Sequence, residues 1–313
     1  MPRYWECPSC RALLTRERLE STAGACPYCD ARVGPPAEFA DPDAPPAESA
    51  GRRLAPIAVP RTGAGKLAAS LRLFFENLPL IAALVLMIKL PSNAAVELIA
   101  ARQGGPTDPL ANLMLKGVVD LFFGPIYAAA VLTIMADRMA GRPSTFLEAA
   151  RAGIDAWGRV FAARLLAGLS IFLAGSLGIL LRDLPPIIRL VLLIPGIVLA
   201  VRYCLVDEVI VLEHTAILDS RRRSADLVSG RAWRIVGAGA AALAIIGVVS
   251  VLVGETADRA GLLDGPLTRA LCDCLLDVFA VFYSILLFLF YWEARAERES
   301  DVALDPALED HPS

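Results

Sequence analysis

Apolar residues gather into six long stretches separated by charged loops. They run from Phe74 to Leu90, Leu113 to Ala136, Val160 to Leu181, Ile187 to Val206, Ile235 to Val253 and Leu275 to Trp292. Each approaches the ~20 residues that an α-helix needs to cross the ~30 Å hydrocarbon core of a bilayer. Some contain Gly or Pro, which membrane helices tolerate because neighbouring groups satisfy the freed backbone. A very hydrophobic soluble helical protein would also carry apolar runs. Six at bilayer length in one chain point instead to an all-α polytopic membrane protein.

Outside these runs the pattern changes twice. Between Val33 and Lys66 the chain reads GPPAEFADPDAPPAESAGRRLAPIAVPRTGAG. Such a Pro/Ala-rich segment buries no core and is expected to be an extended tether. The segment after Glu293 is charged and is expected to fray. Four parts follow: an N-terminal module over 1–34, a disordered linker over 35–65, a six-span membrane domain over 66–293 and a disordered tail over 294–313.

Loop charges orient the spans. Arg52, Arg53, Arg61, Lys66 and Arg72 precede the first. Arg138, Arg142, Arg151 and Arg159 lie between the second and third, and Arg221, Arg222, Arg223, Arg231 and Arg234 between the fourth and fifth. The other side offers Arg102, Arg182, Arg189, Arg259 and Arg269, with Lys89 and Lys116 near the boundary. The expected location is the cytoplasmic (inner) membrane, with both termini in the cytoplasm.

Two of the basic loops share a plan. Ser144-Thr145-Phe146-Leu147-Glu148 opens like a capped amphipathic helix and leads to Trp157-Gly158-Arg159. Ile217-Leu218-Asp219-Ser220-Arg221 leads through Gly230 to Trp233-Arg234. A fainter copy covers Leu67–Phe75. Each reads as an interfacial helix, a turn and a Trp/Arg anchor at the headgroups. Three repeats of interfacial helix plus two spans would result.

The sharpest chemical signal is Cys7-Pro8-Ser9-Cys10, then fifteen residues, then Cys26-Pro27-Tyr28-Cys29. Two Cys-x-x-Cys knuckles at this spacing can place four thiolates around one tetrahedral Zn²⁺. All-sulfur ligation leaves no open position, so the metal would be structural. Disulfides or idle thiols are the alternative. No apolar run occupies the first residues, so no secretory signal is expected, and reduced thiols bind metal rather than pair. So small a module cannot fold on burial alone. Zinc would supply on the order of 10 kcal/mol, with Trp5 and Tyr28 as its small core. The module resembles the short zinc ribbons at the start of many bacterial membrane proteins, with Arg11 and Asp30 where those usually carry Gly.

The chain is 56% hydrophobic with a formal charge of −3, so no nucleic-acid partner is expected. Enzyme motifs are equally scarce. Gly63-Ala64-Gly65-Lys66-Leu67 fails as a phosphate loop, because Pro60 stands for the first Gly and Leu67 for the Ser/Thr. Neither His-Glu-x-x-His nor Gly-x-Ser-x-Gly occurs. Cys204, Cys272 and Cys274 read as small apolar residues.

The run Ile194-Pro195-Gly196-Ile197 to Ala200-Val201-Arg202, then Arg222-Arg223-Ser224, Leu227, Gly230, Trp233 and Arg234, resembles a broad group of bacterial six-helix membrane proteins. The group includes the YciC-type proteins and the membrane domain fused to some glycerophosphoryl diester phosphodiesterases. The resemblance covers about 66–292 and implies a six-span fold in a membrane. The resemblance does not extend to the phosphodiesterase catalytic domain. In physical terms, Pro195 and Gly196 should bend the fourth span. Ser220 or Asp219 should cap the next helix and Gly230 should end it. Arg221, Arg222, Arg223, Arg231, Trp233 and Arg234 form a candidate collar for lipid headgroups, or simply serve orientation.

Ionisable residues at membrane depth each cost about 3 kcal/mol. Lys89, Lys116, Asp120, Asp273 and Asp277 sort to the outer side, and Glu76, Arg164, Arg202, Asp207 and Glu208 to the inner side. The inner set is a candidate ion-pair layer in which Arg164 or Arg202 meets an acid of another span. Structural pairing, snorkelling and a polar transport path all fit. The expected function is a non-enzymatic scaffold or regulator in the lipid bilayer whose zinc ribbon contacts a cytosolic protein. The alternative is a transporter or lipid-handling protein.

Overall fold

A computed structural model describes residues 4–6, 13–15, 59–102, 109–181, 185–263 and 265–304. The chain divides into two compact units, Met1–Arg52 and Arg53–Ser313. In the first, strand β1 (Tyr4–Glu6) pairs antiparallel with β2 (Leu13–Thr15), with Trp5 opposite Leu14. The zinc ligands Cys7, Cys10, Cys26 and Cys29 lie outside the described residues, as do most of the linker and the last nine residues.

The second unit is helical among its described residues. Its helices are α1 (Gly63–Glu76), α2 (Leu78–Arg102), α3 (Pro109–Met139), α4 (Phe146–Leu180), α5 (Pro186–Arg202), α6 (Val206–Glu213), α7 (Ile217–Val228), α8 (Ala232–Arg259) and α9 (Pro266–Leu304). Helix therefore extends beyond the expected 66–293 at both ends. Among the described residues six segments are long and apolar enough to cross a membrane: Leu78–Arg102, Met114–Met139, Phe146–Ser176, Pro186–Glu213, Ala232–Arg259 and Pro266–Arg298. The architecture is that of a multi-pass membrane protein, with α1 and α7 as the short helices.

Local chemistry explains the boundaries. Thr62 Oγ1 accepts from the Gly65 amide at 3.1 Å and starts α1. Asn77 ends it, and its Nδ2 donates to Leu73 O at 2.8 Å across the kink into α2. That helix continues through Pro91. Just after the proline the Ser92 hydroxyl donates back to Ile88 O at 2.8 Å.

Three expectations need correction. The turn expected between the interfacial helix and the Trp157-Gly158-Arg159 anchor is absent, because α4 runs unbroken from Phe146. Its start is a reciprocal capping box: Thr145 Oγ1 accepts from the Glu148 amide at 3.4 Å, and Glu148 Oε2 accepts from the Thr145 amide at 3.2 Å. Trp157 stays against α3, its Nε1 donating to Phe122 O at 2.7 Å. The middle copy of the proposed repeat is thus fused into one helix.

Second, the fourth span is interrupted beyond the expected bend. Helix α5 runs on through Pro195, and the helix breaks at Tyr203–Leu205. Ser224 of α7 satisfies two backbone groups at the break. Its Oγ donates to Arg202 O at 2.8 Å and accepts from the Leu205 amide at 3.2 Å. Gly196 serves packing instead. A Cβ there would stand 3.1 Å from Gly175 Cα and from Ile171 O of α4, so its absence lets the two helices touch.

Third, Asp219 and Ser220 do not cap α7. That helix begins at Ile217 after Ala216, and both residues sit in its first turn. Gly230 follows the helix at φ +76°, the left-handed conformation that glycine adopts freely.

Helix α9 is the axis of the bundle. Phe282, Ile285, Leu286, Phe288, Leu289, Phe290 and Tyr291 are all buried, and α9 packs on α1, α2, α3 and α8. Helix α4 packs on α3, α5 and α6. By contrast α5 rests mainly on α4 and exposes Ile187, Leu190, Val191 and Ile197.

Candidate intramembrane polar site

Charged and amide residues recur every four positions on three helices. They are Lys89, Asn93 and Glu97 on α2, Lys116 and Asp120 on α3, and Arg269, Asp273 and Asp277 on α9. Residues four apart share a helix face, so each helix presents a polar stripe to its neighbours. Arg269 Nη1 lies 3.5 Å from Glu97 Oε2, and Lys116 Nζ lies 3.2 Å from Glu97 Oε1 and 2.6 Å from Asp273 Oδ2. One turn further along α9, Asp277 Oδ2 accepts from Asn93 Nδ2 at 3.1 Å and stands 3.9 Å from Lys89 Nζ. The buried Lys89 ammonium reaches Asp120 Oδ1 at 2.5 Å, and the Tyr127 hydroxyl donates to the same oxygen at 3.0 Å.

Arg164 continues this series toward the other end. Its Nε and Nη2 donate to Asp207 Oδ2 at 2.9 and 2.6 Å. Its Nη1 turns toward Asp120. A Cβ on Gly124 would stand 2.8 Å from that nitrogen and 3.2 Å from Asp120 Oδ1. Glu208 follows Asp207 in the first turn of α6. It is buried, and its Oε2 has no hydrogen-bond partner. Arg164, Asp120, Asp207 and Glu208 therefore adjoin one another where the fourth span is broken.

The expected inner layer is only partly assembled. Arg164 and Asp207 meet. Arg202 is exposed, and it is its carbonyl that Ser224 engages. Glu76 belongs to a different cluster at the end of α1, 2.7 Å from Arg72 and 3.4 Å from Arg138. The hydrogen bond from Arg72, reinforced by Arg138, holds the Glu76 carboxyl below its usual range despite partial burial.

A second buried pair closes the basic end. Lys66 is fully buried, donates to Pro60 O at 2.7 Å and lies 2.9 Å from Glu293 of α9 and over the Phe290 ring. The arginine collar splits. Arg221 donates to Ser170 Oγ and the Tyr203 hydroxyl at 3.1 and 2.9 Å. Arg223 pairs with Glu213 at 3.1 Å, Arg231 with Glu297, and Arg234 with Glu293 at 3.6 Å. Arg222 and Trp233 are exposed. His214 caps α6 at φ 51° beside Arg159. Burial, then that neighbouring cation, lowers its pKa.

Sequence reading overlooked Asn93, Glu97, Arg269 as a partner, and the Lys66–Glu293 pair. Ending the first span at Leu90 places Asn93 and Glu97 in a loop, yet their spacing from Lys89 carried the signal. Among the described residues, no group of three or more His, Cys, Asp or Glu could hold a metal. Compared with known proteins, the chain matches no protein-family model, no curated protein and no solved structure.

Proposed function

We propose that the chain is a non-enzymatic scaffold or regulator of the cytoplasmic membrane, with both termini in the cytoplasm and an N-terminal zinc ribbon that binds a cytosolic protein. The observation that carries this reading is the mutual neutralisation of the interior charges. Lys89, Lys116, Arg164 and Arg269 each stand against a carboxylate of another helix, as a bundle built to hold its shape requires. The orientation draws support from the basic end. Arg138–Glu76, Arg231–Glu297 and Lys66–Glu293 gather the start of α1, the end of α3, the α7–α8 turn and the end of α9. Those are the arginine-rich segments. The antiparallel β1 and β2 bracket Cys7 and Cys10 in the sequence, as a zinc knuckle on a hairpin would need. The resemblance to the YciC-type group agrees with this membrane fold.

Full-length protein purified from membranes tests the reading. The expected result is one zinc per chain, with a cytosolic protein retained, and loss of both on Cys26→Ser while the bundle stays in the bilayer. A chain free of zinc and iron would sink the ribbon. A second reading, a transporter or lipid-handling protein, is favoured by the broken fourth span with charges at the break. Solute uptake or lipid scrambling in reconstituted vesicles separates the two.

A further inference from the structure

The polar stripes of α2, α3 and α9 and the Arg164–Asp207 pair join into one column. It runs from Arg269 and Glu97 at one end of the bundle, past Lys89 and Asp120, to Asp207 and Glu208 near the other. From Glu97 to Lys89 alone is eight residues, about 12 Å of helix. Parts of this column are open. The side chains of Asp120, Asp277, Arg164 and Asp207 are 47%, 35%, 27% and 25% exposed. Charged groups exposed at membrane depth cannot face lipid without a cost of several kcal/mol. Their open surface is therefore expected to meet water.

We propose that this wet column passes protons across the membrane, with Arg164 as the ion that opens and closes it. The proposal rests on the transport reading and names its solute. Asp120 is faced by Lys89 from α2, by Tyr127 of its own helix, by Arg164 from α4 and by Asp277 from α9. Asp207 is faced by Arg164 and adjoins Glu208. In the arrangement seen, Arg164 pairs with Asp207, and a proton arriving from the outer end displaces the Lys89 contact and rests on Asp120. When Arg164 swings to Asp120, the O–H bond there breaks and an O–H bond forms on Asp207 through intervening water. Proton and guanidinium move in opposite directions, so the pair of sites keeps one positive and one negative charge throughout. Asp207 then releases its proton toward the cytoplasmic end and Arg164 returns. No bond other than O–H changes and no redox partner is needed. Gly124 leaves the space through which Arg164 must reach Asp120, since any side chain there would stand between the two groups.

The test uses full-length protein in phospholipid vesicles loaded with a pH-sensitive dye, with a potassium diffusion potential as driving force. Wild-type protein is expected to admit protons well above protein-free vesicles. Asp120→Asn and Asp207→Asn should each reduce the flux by about 100-fold, the scale of a lost proton-transfer group. Gly124→Val removes no titratable group and should cut it by about tenfold through misplacement alone. Elution of each variant as a single species shows that it has folded. Wild-type flux equal to that of empty vesicles overturns the proposal, as does wild-type flux in both Asp→Asn variants. Asp120→Cys, treated with a charged water-borne thiol reagent and compared with wild type, separates the two levels. Reaction at 120 without proton flux removes the proton and leaves the transport reading; neither reaction nor flux removes both.

Discussion

Over their most apolar 18-residue stretches the fourth and last spans have nearly the same mean hydropathy, 2.1 and 2.2, yet most of that stretch is buried in the last span and almost none of it in the fourth. Lipid tails are as apolar as leucine, so hydropathy drives a helix into the membrane without saying which helix becomes the core. The difference lies in what else each carries. Helix α9 brings Asp273 and Asp277 to polar stripes on its neighbours and Glu293 to Lys66. Helix α5 carries no acid. Only past the break, in α6, does the fourth span turn inward, with Val206, Glu208, Val209, Ile210 and Val211 buried. Polar pairing and small-residue contact, rather than apolar content, sort the helices.

Four measurements would break or sharpen this contrast, each read as unfolding free energy in bilayers or mild detergent. The largest effect is expected at the axis. Phe288→Ala should cost about 3–5 kcal/mol, the range for an emptied aromatic site. Leu190→Ala on the exposed face of α5 should stay within about 0.5 kcal/mol. Equal costs would abolish the distinction between axis and periphery.

Where α5 does make contact, it should be sensitive. Gly196→Leu must push α5 from Gly175 and Ile171, at about 1–3 kcal/mol. Gly247→Ala on α8, which meets nothing within 4 Å, should be neutral or mildly stabilising. A neutral Gly196→Leu would show that the α4–α5 contact is not close in the membrane.

The turn between the two halves of the fourth span depends on one hydroxyl. Ser224→Ala leaves Arg202 O and the Leu205 amide without their partner, for about 1–3 kcal/mol. Ser224→Thr keeps the hydroxyl and should restore much of the loss. If both variants match wild type, water or another group satisfies the break.

The smallest effect is expected at the end of α6. The His214 pKa is lowered in the folded protein by burial and then by Arg159. A histidine with a depressed folded pKa adds stability above its unfolded pKa of about 6.5. That stability is lost as pH falls through the folded value. Stability of the wild type should therefore fall slightly from pH 7 to pH 5. His214→Asn, which tolerates the left-handed conformation, should give a flatter curve than the wild type in that range. An unchanged slope would mean that His214 is already hydrated.

Periodicity carried more of the interior than a count of apolar runs suggests. Lys89, Asn93 and Glu97 repeat at four residues, as do Arg269, Asp273 and Asp277. A face of a helix was legible from each set. Pro91 obscured the first, because a proline inside an apolar run suggests an end, whereas α2 continues through it to Arg102. Lys66 was hidden differently. It follows a Pro/Ala/Gly-rich stretch and looks solvated, yet it is fully buried against Glu293, more than two hundred residues away.

By itself the sequence determined the number of spans, the short helices that precede the first and fifth, the left-handed turn at Gly230 and the charged end of the bundle. These depend on neighbours within a few turns and on transfer from water, which composition encodes. Tertiary structure decided which spans lie inside, where the fourth span breaks and which charge meets which. Pro195 weakens a helix locally, but the break settles where Ser224 can satisfy two backbone groups. Arg164 could have met several acids, and the packing of α4 on α3 and α6 selected Asp207 and brought Asp120 beside it. Those choices depend on groups far apart in the chain, and no local pattern records them.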